Sequence, residues 1–169
     1  MFGRLLDRLS VVLLWVSVVA LALVLVLINV EVVSRYFLNR STLIADEYSG
    51  YAFAWILMCG FLYAHRHGSF LNVSVVTSAL SQRPAAAFRA FGAALGVILC
   101  VVAGYGTWFT LSLSVRFSAT SAFASETPLA IPQVALPLGF ALLGFSFLEE
   151  FLSSLMAATS GNPADEGPR

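Results

Sequence analysis

Four stretches of this chain, residues 9–30, 48–64, 90–115 and 127–148, contain no Asp, Glu, Arg or His, and there is no Lys anywhere. A bilayer core about 30 Å thick is crossed by about 20 mostly apolar residues in an α-helix, which satisfies its own backbone polar groups. Four such windows in 169 residues leave room only for short connections. The expected fold is an all-α integral membrane protein with four transmembrane helices in a bundle. The spans are placed at about 9–33, 45–65, 88–113 and 131–155, within one membrane domain covering 1–159. Composition agrees: 59% of residues are apolar and 11% charged, against about 25% charged in soluble domains.

The first window is longer than the apolar region of about 7–15 residues in a cleavable signal. It ends in Asn29-Val30-Glu31 rather than a small-x-small pattern, so it is read as a retained span. Phe2, Leu5, Leu6 and Leu9 alternate with Arg4, Asp7 and Arg8, so that span is expected to start as an amphipathic interfacial turn. Val73, Val76 and Leu80 share one helical face in the segment after the second window, so 70–83 is expected to form an interfacial helix ended by Pro84. An irregular link is the other reading. The polar, Gly- and Pro-containing residues 160–169 are expected to be a disordered tail.

Basic residues in short loops favour the cytoplasmic side. With the N-terminus inside, Arg4, Arg8, Arg66, Arg83, Arg89 and Arg169 lie inside, and only Arg35, Arg40 and Arg116 outside. Both termini are therefore expected to be cytoplasmic.

Zero net charge excludes the basic surface that a nucleic acid would need. Two cysteines, each inside an apolar window, and two neighbouring histidines are too few for a four-ligand zinc site or an iron–sulfur cluster. His65 and His67 sit at one face, where they cannot hold haem between helices, and are read as interfacial polar residues. Every charged residue lies at or beyond a window end, so a mid-membrane coupling carboxylate has no candidate. No base-plus-nucleophile set for hydrolysis is visible either, so catalytic, cofactor and metal sites are all expected to be none.

Scarce charge instead gathers in 31–48, EVVSRYFLNRSTLIADEY, which holds Glu31, Arg35, Arg40, Asp46 and Glu47. Glu31 and Arg35 stand four apart, the spacing that makes opposite charges neighbours on a helix. On the topology above this stretch faces outward, as does the loop carrying Arg116 and Glu126. These seven residues are the partner-interface candidates, against the alternative that they are solvated or headgroup-paired ends. In the third window Gly92, Gly96, Cys100 and Gly104 recur every four residues, a pattern that lets helix backbones approach closely in lipid. Gly50 and Gly139 repeat it more weakly. The seam is expected to pack either within the chain or against a partner.

The strings Arg35-Tyr36-Phe37-Leu38-Asn39, Ala45-Asp46-Glu47 with Trp55 and Gly60, Ala64-His65-Arg66, and Pro128-Leu129-Ala130-Ile131-Pro132 with Pro137-Leu138-Gly139-Phe140 resemble the small membrane subunit of tripartite ATP-independent periplasmic (TRAP) transporters, the DctQ family. The resemblance runs over roughly residues 26–150. It departs from the family at Phe70-Leu71-Asn72-Val73-Ser74, where the His and Asp often found are absent. The resemblance implies a bacterial inner-membrane partner of a large TRAP membrane subunit. That subunit would import an organic acid with sodium, delivered by a periplasmic substrate-binding protein, while this chain acts as scaffold. The glycine strip would then pack on the large subunit and the outward charges would help dock the binding protein. Two competing readings are a self-sufficient four-helix exporter working as a homodimer, which needs an embedded ionisable residue, and a redox-complex membrane anchor, which needs ligand sets.

Overall fold

The structure is a computed structural model describing residues 2–39, 44–68, 82–123 and 125–160, with the side chains of 2, 82, 83 and 157–160 left out of the description. The expected interfacial segment therefore lies largely outside the described residues. Only Gln82 and Arg83 belong to them, as the start of a helix, and the expected tail is outside them from residue 161 onward.

The described residues are helical throughout their length apart from turns and one isolated bridge. Helix α1 runs Phe2–Phe37, α2 Ile44–Arg66, α3 Gln82–Arg116, α4 Ala130–Gln133 and α5 Ala135–Ser160. Among the described residues, three segments are long and apolar enough to cross a membrane: Gly3–Phe37, Pro84–Arg116 and Ala130–Met156. At 23 residues α2 is about 34 Å long, enough to span. It falls short on hydropathy because Tyr48, Tyr51, Trp55, Tyr63 and His65 replace aliphatic side chains.

Local chemistry explains the ends. Asn39 stops α1 with φ 50°, and Gly68 follows α2 with φ 65°, both residue types that enter the left-handed region readily. After α3 the N–H of Ala119 bonds back to Ser114 O at 2.9 Å, closing the last turn. The break between α4 and α5 is explained by Pro137, which has no N–H to offer the carbonyl of Gln133 four residues earlier. Asp46 and Glu47 in the first turn of α2, with His65 and Arg66 in its last, match the helix dipole at both ends.

The helices do not close into the expected bundle. Helix α1 packs on α2, α2 on α5, and α5 on α3, while no extended contact joins α1 to α3. The result is an open row with α1 and α3 at its edges. Lipid gives apolar helices no hydrophobic reason to close, so only close packing and polar bonds decide which faces meet. Most of the aliphatic side chains of α1, from Val11 to Val33, are accordingly exposed.

Small residues make the contacts that do form. A Cβ on Gly96 would lie 2.6 Å from the Phe147 ring, Gly104 faces Phe140, and Gly144 faces Cys100, so α3 and α5 run antiparallel along this line. On the other side of α5, a Cβ on Gly139 would lie 2.5 Å from Met58 Cβ of α2. The strip from Gly96 to Gly104 is therefore spent inside the chain. Gly92 and Gly50 face open space. Between α1 and α2, the Ser17 hydroxyl donates to the Ile56 carbonyl at 3.1 Å.

Met58 Cβ cannot swing away as a side-chain tip can, so Gly139→Leu is expected to cost about 1–3 kcal/mol or more through overpacking. Gly50→Leu meets nothing and is expected to leave stability unchanged. Thermal unfolding of both variants in lipid nanodiscs checks the contrast, and equal midpoints would mean that the α2–α5 approach is looser than described.

Candidate functional site

Polar side chains collect at the two ends of the row. At one end stands Arg66, the last residue of α2, whose side chain is only 12% exposed. Its guanidinium reaches across three helices. Nε donates to Asp7 Oδ1 of α1 at 2.5 Å, Nη2 to the Gly3 carbonyl of α1 at 3.1 Å, and Nη1 to Glu149 Oε2 and Ser146 Oγ of α5 at 2.7 and 3.3 Å. A planar fork with five donors can serve these four acceptors at once, whereas an ammonium has only three N–H groups.

The neighbouring His65 lies 3.4 Å from Glu150 Oε2 through Nε2, and its ring packs on Phe147 with centroids 4.1 Å apart. His67 stacks on Tyr63 one turn earlier. Both histidines are thus engaged with side chains at the end of the row. Among the described residues no group of three or more His, Cys, Asp and Glu is placed to hold a metal ion. Cys59 and Cys100 are both buried and not bonded to each other.

At the opposite end Glu47, in the first turn of α2, is 4% exposed. Its carboxylate accepts from Tyr51 OH at 2.8 Å and from Ser125 Oγ at 2.6 Å, a residue of the connection between α3 and α4. Beside it the hydroxyls of Tyr48 and Thr127 share a hydrogen bond at 2.9 Å. On α1, Arg35 Nη2 lies 3.2 Å from Glu31 Oε1, the pairing that their spacing implies. Glu31 is buried and Arg35 is 55% exposed.

The seven partner-interface candidates thus divide. Arg35, Asp46, Arg116 and Glu126 are exposed; Glu31 and Glu47 are turned into the chain; Arg40 lies outside the described residues. The structure unites Glu31 with Arg35 and brings Glu47 to the loop that carries Glu126. Sequence reasoning missed the Arg66 cluster altogether. Its partners stand 59 and 83 residues away, and the available signal was that Asp7, Arg66 and Glu149 all border apolar windows at the same expected face.

Because Arg66→Ala leaves Asp7 and Glu149 without their cation, it is expected to destabilise the chain by about 1.5–3 kcal/mol, with Arg66→Lys recovering only part. Unfolding in nanodiscs checks this. For Glu31 and Arg35, a double-mutant cycle on the same readout is expected to give a coupling of about 0.3–0.5 kcal/mol, whereas additivity would mean that the pair contributes nothing.

Comparison with known proteins bears on what carries these clusters. The family model described as "Tripartite ATP-independent periplasmic transporters, DctQ component" matches residues 24–157. A provisionally named TRAP transporter small permease protein of Haemophilus influenzae is 28% identical over 101 residues, 60% of this chain and 62% of that protein. That match takes in less than two thirds of the relative's length. The family match covers α2 to α4, most of α5, the C-terminal part of α1 from residue 24, and both polar clusters apart from Gly3 and Asp7. The chain belongs to the DctQ family of TRAP transporter small permease subunits.

Proposed function

We propose that this chain is the small membrane subunit of a bacterial inner-membrane TRAP transporter, bracing a large membrane subunit that carries out sodium-coupled uptake of an organic acid. A periplasmic binding protein delivers that acid. The chain crosses the membrane four times with both termini inside. The antiparallel alternation of α1, α2, α3 and α5 supports this, since it brings Asp7, Arg66 and Glu149 to one end and Glu47 and Ser125 to the other.

The observation that carries the bracing role is how the scarce polar groups are used. The charged clusters lie at the helix ends, where they fasten helices and a loop of the same chain, and the row between them is apolar and open along both edges. Such a row has broad aliphatic faces to lay against other helices. The substrate and sodium sites belong, on this reading, to the large subunit.

The exposed charges Arg35, Asp46, Arg116 and Glu126 then face the periplasm and meet the binding protein, with Arg40 beside them in sequence. Charges of this kind set encounter rate and register more than affinity. Glu31 and Glu47 act inside the chain.

Mild-detergent purification from the native membrane is expected to bring down a larger polytopic protein in fixed stoichiometry. Recovery of this chain alone, in active form, would contradict the proposal. Reversing Asp46 and Arg35 together is expected to slow uptake several-fold at low binding-protein concentration, with the defect shrinking as salt rises. Unchanged uptake would remove the docking role.

A further inference from the structure

The connection between α3 and α4 is more organised than its length requires. Ser121 N–H donates to Thr127 O at 2.9 Å, Leu129 N–H to Ala119 O at 3.0 Å and Glu126 N–H to Phe123 O at 3.1 Å, while Thr120 and Pro128 form an antiparallel bridge. The Ser121 hydroxyl accepts from Phe123 N–H at 3.1 Å, and Ser125 Oγ accepts from Thr127 N–H at 3.3 Å. The segment is thereby folded upon itself.

A second set of bonds fixes it to α2. Ser125 donates to the Glu47 carboxylate, whose other oxygen is held by Tyr51, and Thr127 meets the Tyr48 hydroxyl. A buried carboxylate that gathers hydroxyls from α2 and from the loop is a costly group to place where a plain polar contact would close the loop. Its charge is not displayed, so its effect is on the shape of what it holds.

That shape leaves Phe123 and Glu126 exposed on the loop, and Arg116 is exposed at the end of α3 that leads into it. Glu126 has φ 47°, a backbone region that glycine enters without penalty and glutamate does not. A loop needing only to turn at that point would be better served by glycine.

We infer that Glu47 is a positioning residue that locks the α3–α4 loop onto α2, so that Phe123 and Glu126, with Arg116 at the end of α3, present a preformed contact surface to a soluble protein on the outer side. One cation, one anion and one aromatic ring give register to a folded partner. They offer no net attraction to an anionic lipid surface. Holding the loop in its bound form beforehand lowers the ordering cost on association. The inference rests on the docking reading above and identifies the partner with the same binding protein.

The test uses the complete transporter in proteoliposomes, titrated with its binding protein purified with the solute it carries. Glu47→Ala is expected to raise the half-saturating binding-protein concentration about fivefold, leaving the maximal rate unchanged. Glu47→Gln keeps an acceptor for the hydroxyls and is expected to stay within about twofold of the native value. Amide hydrogen exchange of the described loop residues is expected to quicken in the Ala variant and not in the Gln variant. If Glu47→Ala fails to assemble, Ser125→Ala removes the same bond from the loop side and is read in its place. A loosened loop with unchanged half-saturation overturns the inference, as does a fall in maximal rate alone. Glu126→Arg separates the two levels. If it raises half-saturation while Glu47→Ala does not, only the positioning role fails; if neither does, the docking reading falls with it.

Discussion

Helices bathed in lipid gain nothing by hiding apolar surface from one another, so this chain depends on a few polar bonds to decide which helices are neighbours. Arg66 is the chief of these. One guanidinium at the end of α2 holds the start of α1 through Asp7 and the Gly3 carbonyl, and α5 through Glu149 and Ser146. Where Arg66 sets the sequence α1–α2–α5 at one end, the close approach of Gly139 to Met58 continues the α2–α5 contact along the helices. The Gly96–Gly104 line then adds α3 to the far side of α5.

The two ends are built differently. At the Arg66 end a cation gathers carboxylates from separate helices, which fixes helix position. At the Glu47 end a carboxylate gathers hydroxyls from its own helix and from a loop, which fixes loop shape. Between them α1 and α3 show long runs of Val, Leu and Ile outward, and an apolar groove of about 440 Å³ lies between α3 and α5, lined in part by Val101, Trp108, Phe140 and Leu148. A frame fastened at its ends and smooth along its sides is suited to lie against other apolar helices.

Much of this architecture was legible in the residues. Charge-free windows located the four long helices of the described residues, three of them long and apolar enough to cross a membrane, because a charge in the bilayer centre is costly enough to leave a clear mark. The Glu31–Arg35 spacing announced its contact, and the Gly96–Cys100–Gly104 steps announced a seam. The order of packing was not legible. In a soluble helix the apolar stripe names the buried face, whereas in a membrane helix lipid-facing and helix-facing sides are both apolar. That is why an open row replaced the expected bundle. Nor did composition tell inward from outward charges: Glu47 adjoins Asp46 in sequence, yet its partner Ser125 is 78 residues away, and only the folded loop turns one carboxylate in and leaves the other out.

The central claim is that this chain supports transport without performing it. Solute flux into proteoliposomes containing this chain by itself, compared with liposomes that also hold the large subunit, tests it most directly. The account predicts no accumulation above protein-free liposomes for the chain alone, under a sodium gradient and with the binding protein present, and clear accumulation for the pair. Gradient-driven accumulation by this chain alone would contradict it.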